Sequence, residues 1–361
     1  MLLTVQKMID YYSAFSSIAP PFVMTIVGFV ASWAKMLNNT DGKDIFRALM
    51  LVVIPGLMFN QISIQRDRKP WNVFLNELLI QGTIHIVALI ICYVFPFKHR
   101  YHTFVESILT VCYPNYFSYG GIIVYYLYGS EYLYVPVFQS IVQFLILIPL
   151  HTFLAYSIPK SYLEQTKEKG DEFERIGQRN PEDIEHGENK AKKSLNDNKD
   201  DKELSRGWET FWKFATSINV CTFLGIFWAA GKVKTPVFLK NFLQDLENAA
   251  YAAQLYIIGV FLYGFKPQRK RLGIVVLYIF LIYIVVPLVA MFWCYICNFE
   301  YTVSKIIILI HASPLDLFGI LMAKSKGRFR DIHYTFYWSQ YLAIPVLMAW
   351  YIIIEECNFL K

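Results

Sequence analysis

Two polar side chains stand inside long apolar runs: Asn115 in YPNYFSYGG (113–121) and Asp316 in ASPLDLFGI (312–320). Each follows a proline, Pro114 or Pro314, and each proline is followed six or five residues later by a glycine, Gly120 or Gly319. Proline offers no N–H and frees a carbonyl one turn back, while glycine lets another backbone come close. In hydrocarbon such freed groups are tolerated only where they face protein or a water-filled cavity. The chemistry on offer is recognition: two discontinuous helices crossing here would aim half-helix N-termini at a common point, and their partial positive charge suits an anion such as a carboxylate. Asp316 is expensive in a membrane and is expected to carry a proton, hold Na⁺, or pair with His311 or Lys305. The alternative is a structural acid bonded to the freed N–H groups.

Further polar groups share the apolar runs. Glu77, Gln81 and His85 recur every four residues and so line one helical face, either for ion coupling together with Asp316 or for packing, with Glu77 at the interface near Arg68 and Lys69. Asn248 and Gln254 flank alanines that permit close helix approach, and Asn248 with Asn219 completes the candidate binding set. Tyr116, Tyr119, Tyr125 and Tyr126 read mainly as packing or interface residues. Cys294 and Cys297 form a CxxC at a helix end without a second pair, which points to packing and not to metal or redox work. The remaining cysteines are scattered, and no phosphate loop, GxSxG or HExxH is present. No catalytic residue, metal or cofactor is therefore assigned, and no nucleic-acid partner is expected.

The elements that must position these groups follow from hydropathy. The chain has 361 residues, 55% hydrophobic and 17% aromatic, with apolar residues in runs that do not alternate with polar ones. Runs of about 20 apolar residues suit helices crossing a bilayer core of about 30 Å, and the lack of alternation excludes a β-barrel. The expected fold is all-α, with ten transmembrane helices near 14–35, 45–63, 72–96, 104–128, 132–157, 208–230, 239–264, 272–296, 302–323 and 332–355. Residues 1–157 and 207–361 form two five-helix parts, separated by a hydrophilic, disordered linker at 158–206 that holds KEKGDEFERIGQRNPEDIEHGENKAKKSLNDNKDDKE. No removable signal peptide is read at the start. Cation placement favours both termini outside and the linker in the cytosol, against RDRK at 66–69; glycan attachment at Asn38 would reverse that orientation. Five spans per half make the second half enter with opposite orientation, so the two Pro-Gly breaks become counterparts in spans four and nine of an inverted repeat. Pro55, Pro149, Pro287 and Pro345 are read as packing kinks.

The residues resemble those of the auxin efflux carrier family, the plant PIN proteins and PIN-like carriers. The similarity is carried in order by YSAFSSIAPPFVMTIVGFVASW, FRALMLVVIPGLMFNQIS, YPNYFSYGGIIVYYLYG, INVCTFLGIFWA, LENAAYAAQLYIIGVFLYG, ASPLDLFGILMAKSKGRFRDIHY and YLAIPVLMAWYII, and it fails only in the linker. The resemblance implies ten helices in two inverted repeats, broken fourth and ninth helices crossing at the substrate site, elevator-like movement, and organic anions as cargo. It assigns Asn115 as the crossover asparagine and Pro114 and Pro314 as motif prolines. Ile122 and Gly319 stand where the family has a second proline; Leu78 and Gly82 stand where plant members have Asp and Lys, with Glu77 and Gln81 beside them. A homodimer is a further implication.

The function expected is a secondary carrier that moves a small carboxylate-type anion by alternating access, in the plasma membrane or endoplasmic reticulum, with lipid as its other partner. The rivals are an integral-membrane enzyme and a receptor or scaffold that binds partners through the linker.

Overall fold

The structure is a computed structural model that describes residues 11–37, 39–64, 71–95, 100–157, 217–263, 272–320 and 330–356. The linker, the sequon Asn38, and the basic stretch at 66–69 lie outside the described residues. Every regular element among the described residues is helical. In chain order these are α1 (Tyr11–Trp33), α2 (Asp44–Ile64), α3 (Trp71–Val94), α4 (Arg100–Val111), α5 (Tyr116–Gly121 running into Ile122–Tyr128), α6 (Ser130–Ala155), α7 (Ser217–Ala230), α8 (Val237–Tyr263), α9 (Leu272–Ile296), α10 (Tyr301–His311) and α11 (Arg330–Glu356). A short helical stretch at 317–320 follows α10.

Six of the described helices, α1, α2, α3, α6, α9 and α11 (from Asp331), are long and apolar enough to cross a membrane; α7 and α10 are shorter apolar helices. Burial is inverted relative to a water-soluble helix. On α3, Asn76, Glu77 and Gln81 are buried, whereas Leu75, Leu79, Ile86, Leu89 and Ile90 are exposed. Water would not select polar groups inside and leucines outside, but lipid does.

The prolines fall into two groups. Pro55, Pro149 and Pro287 each sit in a continuous helix, and each comes two residues after a widened, π-helical turn: Leu49–Val53, Gln143–Leu147 and Leu281–Val285. A proline lacks the N–H for the carbonyl four residues back, and the extra residue in the turn takes up the clash without ending the helix. The carbonyl that Pro287 leaves free belongs to Tyr283, and it accepts from the Trp350 indole N–H at 2.8 Å. Pro345 likewise lies within α11. Pro114 and Pro314, by contrast, lie where helices stop.

Close packing depends on glycine. A methyl built on Gly28 in α1 would lie 1.9 Å from the Tyr256 carbonyl oxygen of α8, and one on Gly259 would lie 1.9 Å from the Thr25 oxygen. The two helices thus meet backbone to backbone. A similar, looser contact joins α7 to α2, where a methyl on Gly225 would lie 3.2 Å from the Phe59 oxygen.

Candidate functional site

The expected fourth span is two helices, α4 and α5, separated by residues 112–115. The expected ninth is α10 and the stretch 317–320, separated by 312–316. The two interruptions meet. Pro114 and Leu315 form an isolated antiparallel bridge, in which the Asn115 N–H donates to the Pro314 carbonyl at 3.0 Å and the Asp316 N–H donates to the Tyr113 carbonyl at 2.8 Å. Backbone groups released by each break are thereby satisfied by the other.

Asn115 and Asp316 each stand one residue beyond the bridge, and each caps the helix that follows. The Asn115 Oδ1 accepts from the Ser118 N–H and Oγ–H, both at 2.9 Å, and from the Tyr119 N–H at 3.3 Å. The Asp316 Oδ1 accepts from the Leu317 N–H at 2.6 Å and from the Gln254 amide at 3.4 Å. Both side chains are fully buried. Each keeps one polar atom, Asn115 Nδ2 and Asp316 Oδ2, without a partner among the described residues, and the Ser313 hydroxyl nearby is in the same state. The cap explains why Asn115 suits this position: it satisfies first-turn N–H groups that the break would otherwise orphan. It also means that several N-terminal amides of α5 are already used, leaving the Asn115 amide as the free donor. Matching the two prolines sets the motifs one residue out of register, because the bridge pairs Pro114 with Leu315.

The glycines complete the contact. Gly120 packs on Ile310 of α10, where a methyl would lie 3.2 Å from its side chain; a methyl on Gly319 would lie 2.6 Å from the Leu109 carbonyl oxygen of α4. Leu109 and Ile310 each precede their bridge residue by five positions. So each later half-helix lies against the earlier half of the other break.

A second polar cluster adjoins the bridge and gathers around Glu77 of α3, which is fully buried inside the protein. Its Oε1 accepts from the Tyr116 O–H at 2.5 Å and the Gln81 amide at 2.7 Å, while Oε2 accepts from the Gln139 amide at 3.1 Å and lies 3.1 Å from His311 Nε2. His311 Nδ1 lies 2.8 Å from the Ile307 carbonyl, which can only accept, so Nδ1 carries a proton. Glu77 and Gln81, and not Leu78 and Gly82, turn toward the break; a methyl on Gly82 would meet nothing within 4 Å. The expected partners of Asp316 are taken elsewhere: His311 by Glu77, and Lys305 by Glu355 at 2.5 Å.

The structure therefore brings Pro114, Asn115, Gly120, Pro314, Asp316 and Gly319 together. His85, the last member of the α3 stripe, turns to His151 of α6, with the Nε2 atoms 2.7 Å apart. Asn219 is half-buried on α7 with its Oδ1 unpartnered among the described residues, and the side chain of Asn248 lies outside those described. Tyr116 and Tyr119 are buried, Tyr125 and Tyr126 exposed. Sequence reasoning passed over Glu247, which accepts from the Asn60 amide at 3.0 Å and from the Gln61 amide, and it passed over Gln139 and His151. The available signal was a carboxylate or amide embedded in an apolar run, as in LENAAYAAQL and VFQSIVQF.

These features define a polytopic helical membrane protein whose polar groups converge on interrupted spans. A family model described as membrane transport protein matches residues 13–351, and the chain belongs to that family, the PIN-like auxin efflux family. No curated protein matches the chain. It is a multi-pass integral membrane protein of a transporter family.

Proposed function

We propose that the chain is a secondary carrier for a small organic anion, with ten membrane crossings in two inverted five-helix repeats. The cargo binds where the broken fourth and ninth spans cross, and alternating access moves it. The observation that carries this reading is the antiparallel bridge with two unpartnered, fully buried polar atoms beside it, Asn115 Nδ2 and Asp316 Oδ2. Buried polar groups are normally paired, so two such atoms at a break favour a site that a ligand completes. An inverted repeat is supported by matched contacts: TIVG (25–28) and TFLG (222–225) each place a glycine against a carbonyl of the other half, Tyr256 or Phe59. The family adds a transport class to this geometry.

In this reading the Asn115 amide donates to the cargo's carboxylate. Asp316 donates an O–H when protonated and repels the anion when ionised, so a proton travels with the anion. The test is uptake into proteoliposomes across a panel of carboxylates, with and without a proton or Na⁺ gradient. The wild type moves at least one anion; Asn115→Ala weakens its binding by the cost of one hydrogen bond to a charged group, about 1.5–3 kcal/mol, or roughly 10- to 150-fold. Asp316→Asn keeps a donor but loses acid stimulation. Purified protein that moves no member of the panel, with identical binding in the Asn115→Ala variant, rules the reading out.

A further inference from the structure

His85 and His151 come from α3 and α6, and Cys112 is the first residue after α4, where the break begins. One ligand-type atom from each lies within 4.8 Å of the others. His151 and Cys112 are fully buried, and His85 is half-buried. The outer nitrogens of both rings are already held. His85 Nδ1 lies 2.6 Å from the Gln81 carbonyl, which can only accept, so this ring carries its proton on Nδ1 and directs the Nε2 lone pair inward. His151 Nδ1 lies 2.9 Å from the Tyr113 hydroxyl, which can donate or accept, so this ring can hold either tautomer without losing the bond. The two Nε2 atoms face each other at 2.7 Å, and Cys112 Sγ lies 3.9 Å from His85 Nδ1, beside the ring, so the thiol must swing toward the Nε2 pair to share an ion with it. Convergent imidazoles whose outer nitrogens are fixed by a carbonyl and a hydroxyl have the outer-shell arrangement of metal-bound histidines.

We propose that His85, Cys112 and His151 bind a soft d¹⁰ metal ion. With metal–nitrogen bonds of about 2.0 Å in tetrahedral geometry, the two Nε2 atoms would stand roughly 3.3 Å apart, so the rings need to part by only about half an ångström. Two imidazoles and a thiolate suit Cu⁺ or Zn²⁺, whereas the absence of oxygen ligands disfavours Mg²⁺ and Ca²⁺. Charge separates the two candidates. Cu⁺ with one thiolate and two neutral imidazoles sums to zero, whereas Zn²⁺ leaves a positive charge among buried residues, which is costly. Cu⁺ is therefore the favoured ion. On binding, the Cys112 S–H gives its proton to solvent as the S–Cu bond forms; the His151 proton passes from Nε2 to Nδ1, and no electron is transferred. The ion would fasten the residue two before Pro114 to α3 and α6.

The test uses the full chain in nanodiscs, with Cu⁺ kept reduced under anaerobic conditions or Zn²⁺, each titrated against a chromogenic chelator. The wild type retains one ion per chain, Cu⁺ more tightly than Zn²⁺, and X-ray absorption shows nitrogen and sulfur neighbours. Cys112→Ser and His151→Asn abolish retention, Tyr113→Phe weakens it by about 10- to 100-fold, and Cys294→Ser leaves it unchanged. Apparent thermal stability read alongside rises with the ion in wild type and Cys294→Ser, and not in Cys112→Ser or His151→Asn. Two results overturn the site: a wild type that holds neither ion against the chelator, or monodisperse Cys112→Ser protein that holds it equally well.

Discussion

Gly319→Ala is the sharpest probe of the meeting point between the two breaks. The added methyl would sit 2.6 Å from the Leu109 carbonyl oxygen, a backbone atom near the end of α4. Relief cannot come from a rotamer change. The stretch 317–320 and α4 must part by about 0.6–0.8 Å to reach ordinary contact, against a bridge whose two hydrogen bonds are 2.8 and 3.0 Å long. Overpacking of this kind costs about 1–3 kcal/mol. Gly120→Ala is the internal comparison. Its methyl would meet Ile310 side-chain atoms at 3.2 and 3.3 Å, which can partly relax, and the Asn115 backbone oxygen of its own helical turn at 3.3 Å. The expected order is a clear loss of apparent melting temperature and of anion flux for Gly319→Ala, and a much smaller loss for Gly120→Ala. Both are read in nanodiscs by intrinsic fluorescence and in proteoliposomes by uptake. Wild-type stability and flux in Gly319→Ala, or a larger effect from Gly120→Ala, would refute the backbone contact.

Gly28→Ala, whose methyl would fall 1.9 Å from the Tyr256 oxygen, should reduce folded yield and melting temperature far more than Gly225→Ala, which has 3.2 Å to the Phe59 oxygen; equal effects in a melting assay would contradict it. Trp350→Phe should cost about 1–3 kcal/mol by orphaning the Tyr283 carbonyl. The cost should shrink in a Pro287→Ala background, where residue 287 regains an N–H for that carbonyl, and a double-mutant cycle in denaturant measures the difference. Glu77→Ala should destabilise by about 3–5 kcal/mol, since it leaves His311 and three further donors buried without their acceptor. Tyr116→Phe removes one bond to that carboxylate and should cost less, about 1.5–3 kcal/mol; a reversed order in thermal melts would mean that Glu77 is not the hub.

Much of this frame is readable from the sequence because lipid imposes a simple rule: long apolar runs become helices, and α3, α6, α9 and α11 fall close to the stretches hydropathy marks. Breaks at Pro114 and Pro314 are also legible, since a glycine follows each proline and a polar residue lies between them. What a proline does locally is not. Pro55, Pro149 and Pro287 leave their helices continuous behind a widened turn, whereas Pro114 ends one. The difference lies in the partner: among the described residues, the interruptions at 112–115 and 312–316 each have another broken backbone beside them to accept and donate. The same limit hides the Glu77 cluster. Its donors come from α3, α5, α6 and α10, so no local spacing announces them, and the α3 stripe reads as one face although His85 turns away from Glu77. Of the roles open to Asp316, pairing with His311 or Lys305 is the one the structure does not show, and a bond to a freed N–H, that of Leu317, is one it does. Both residues are near in sequence, but their side chains meet Glu77 and Glu355 of other helices.

The bridge between Pro114 and Leu315 is made by main-chain atoms alone, so its two hydrogen bonds ask of positions 115 and 316 only that each keep an N–H. Under the proposed function, side chains at 115 and 316 that meet the cargo hang from a junction whose own bonds do not involve them. Selectivity and architecture would then rest on different atoms of the same residues.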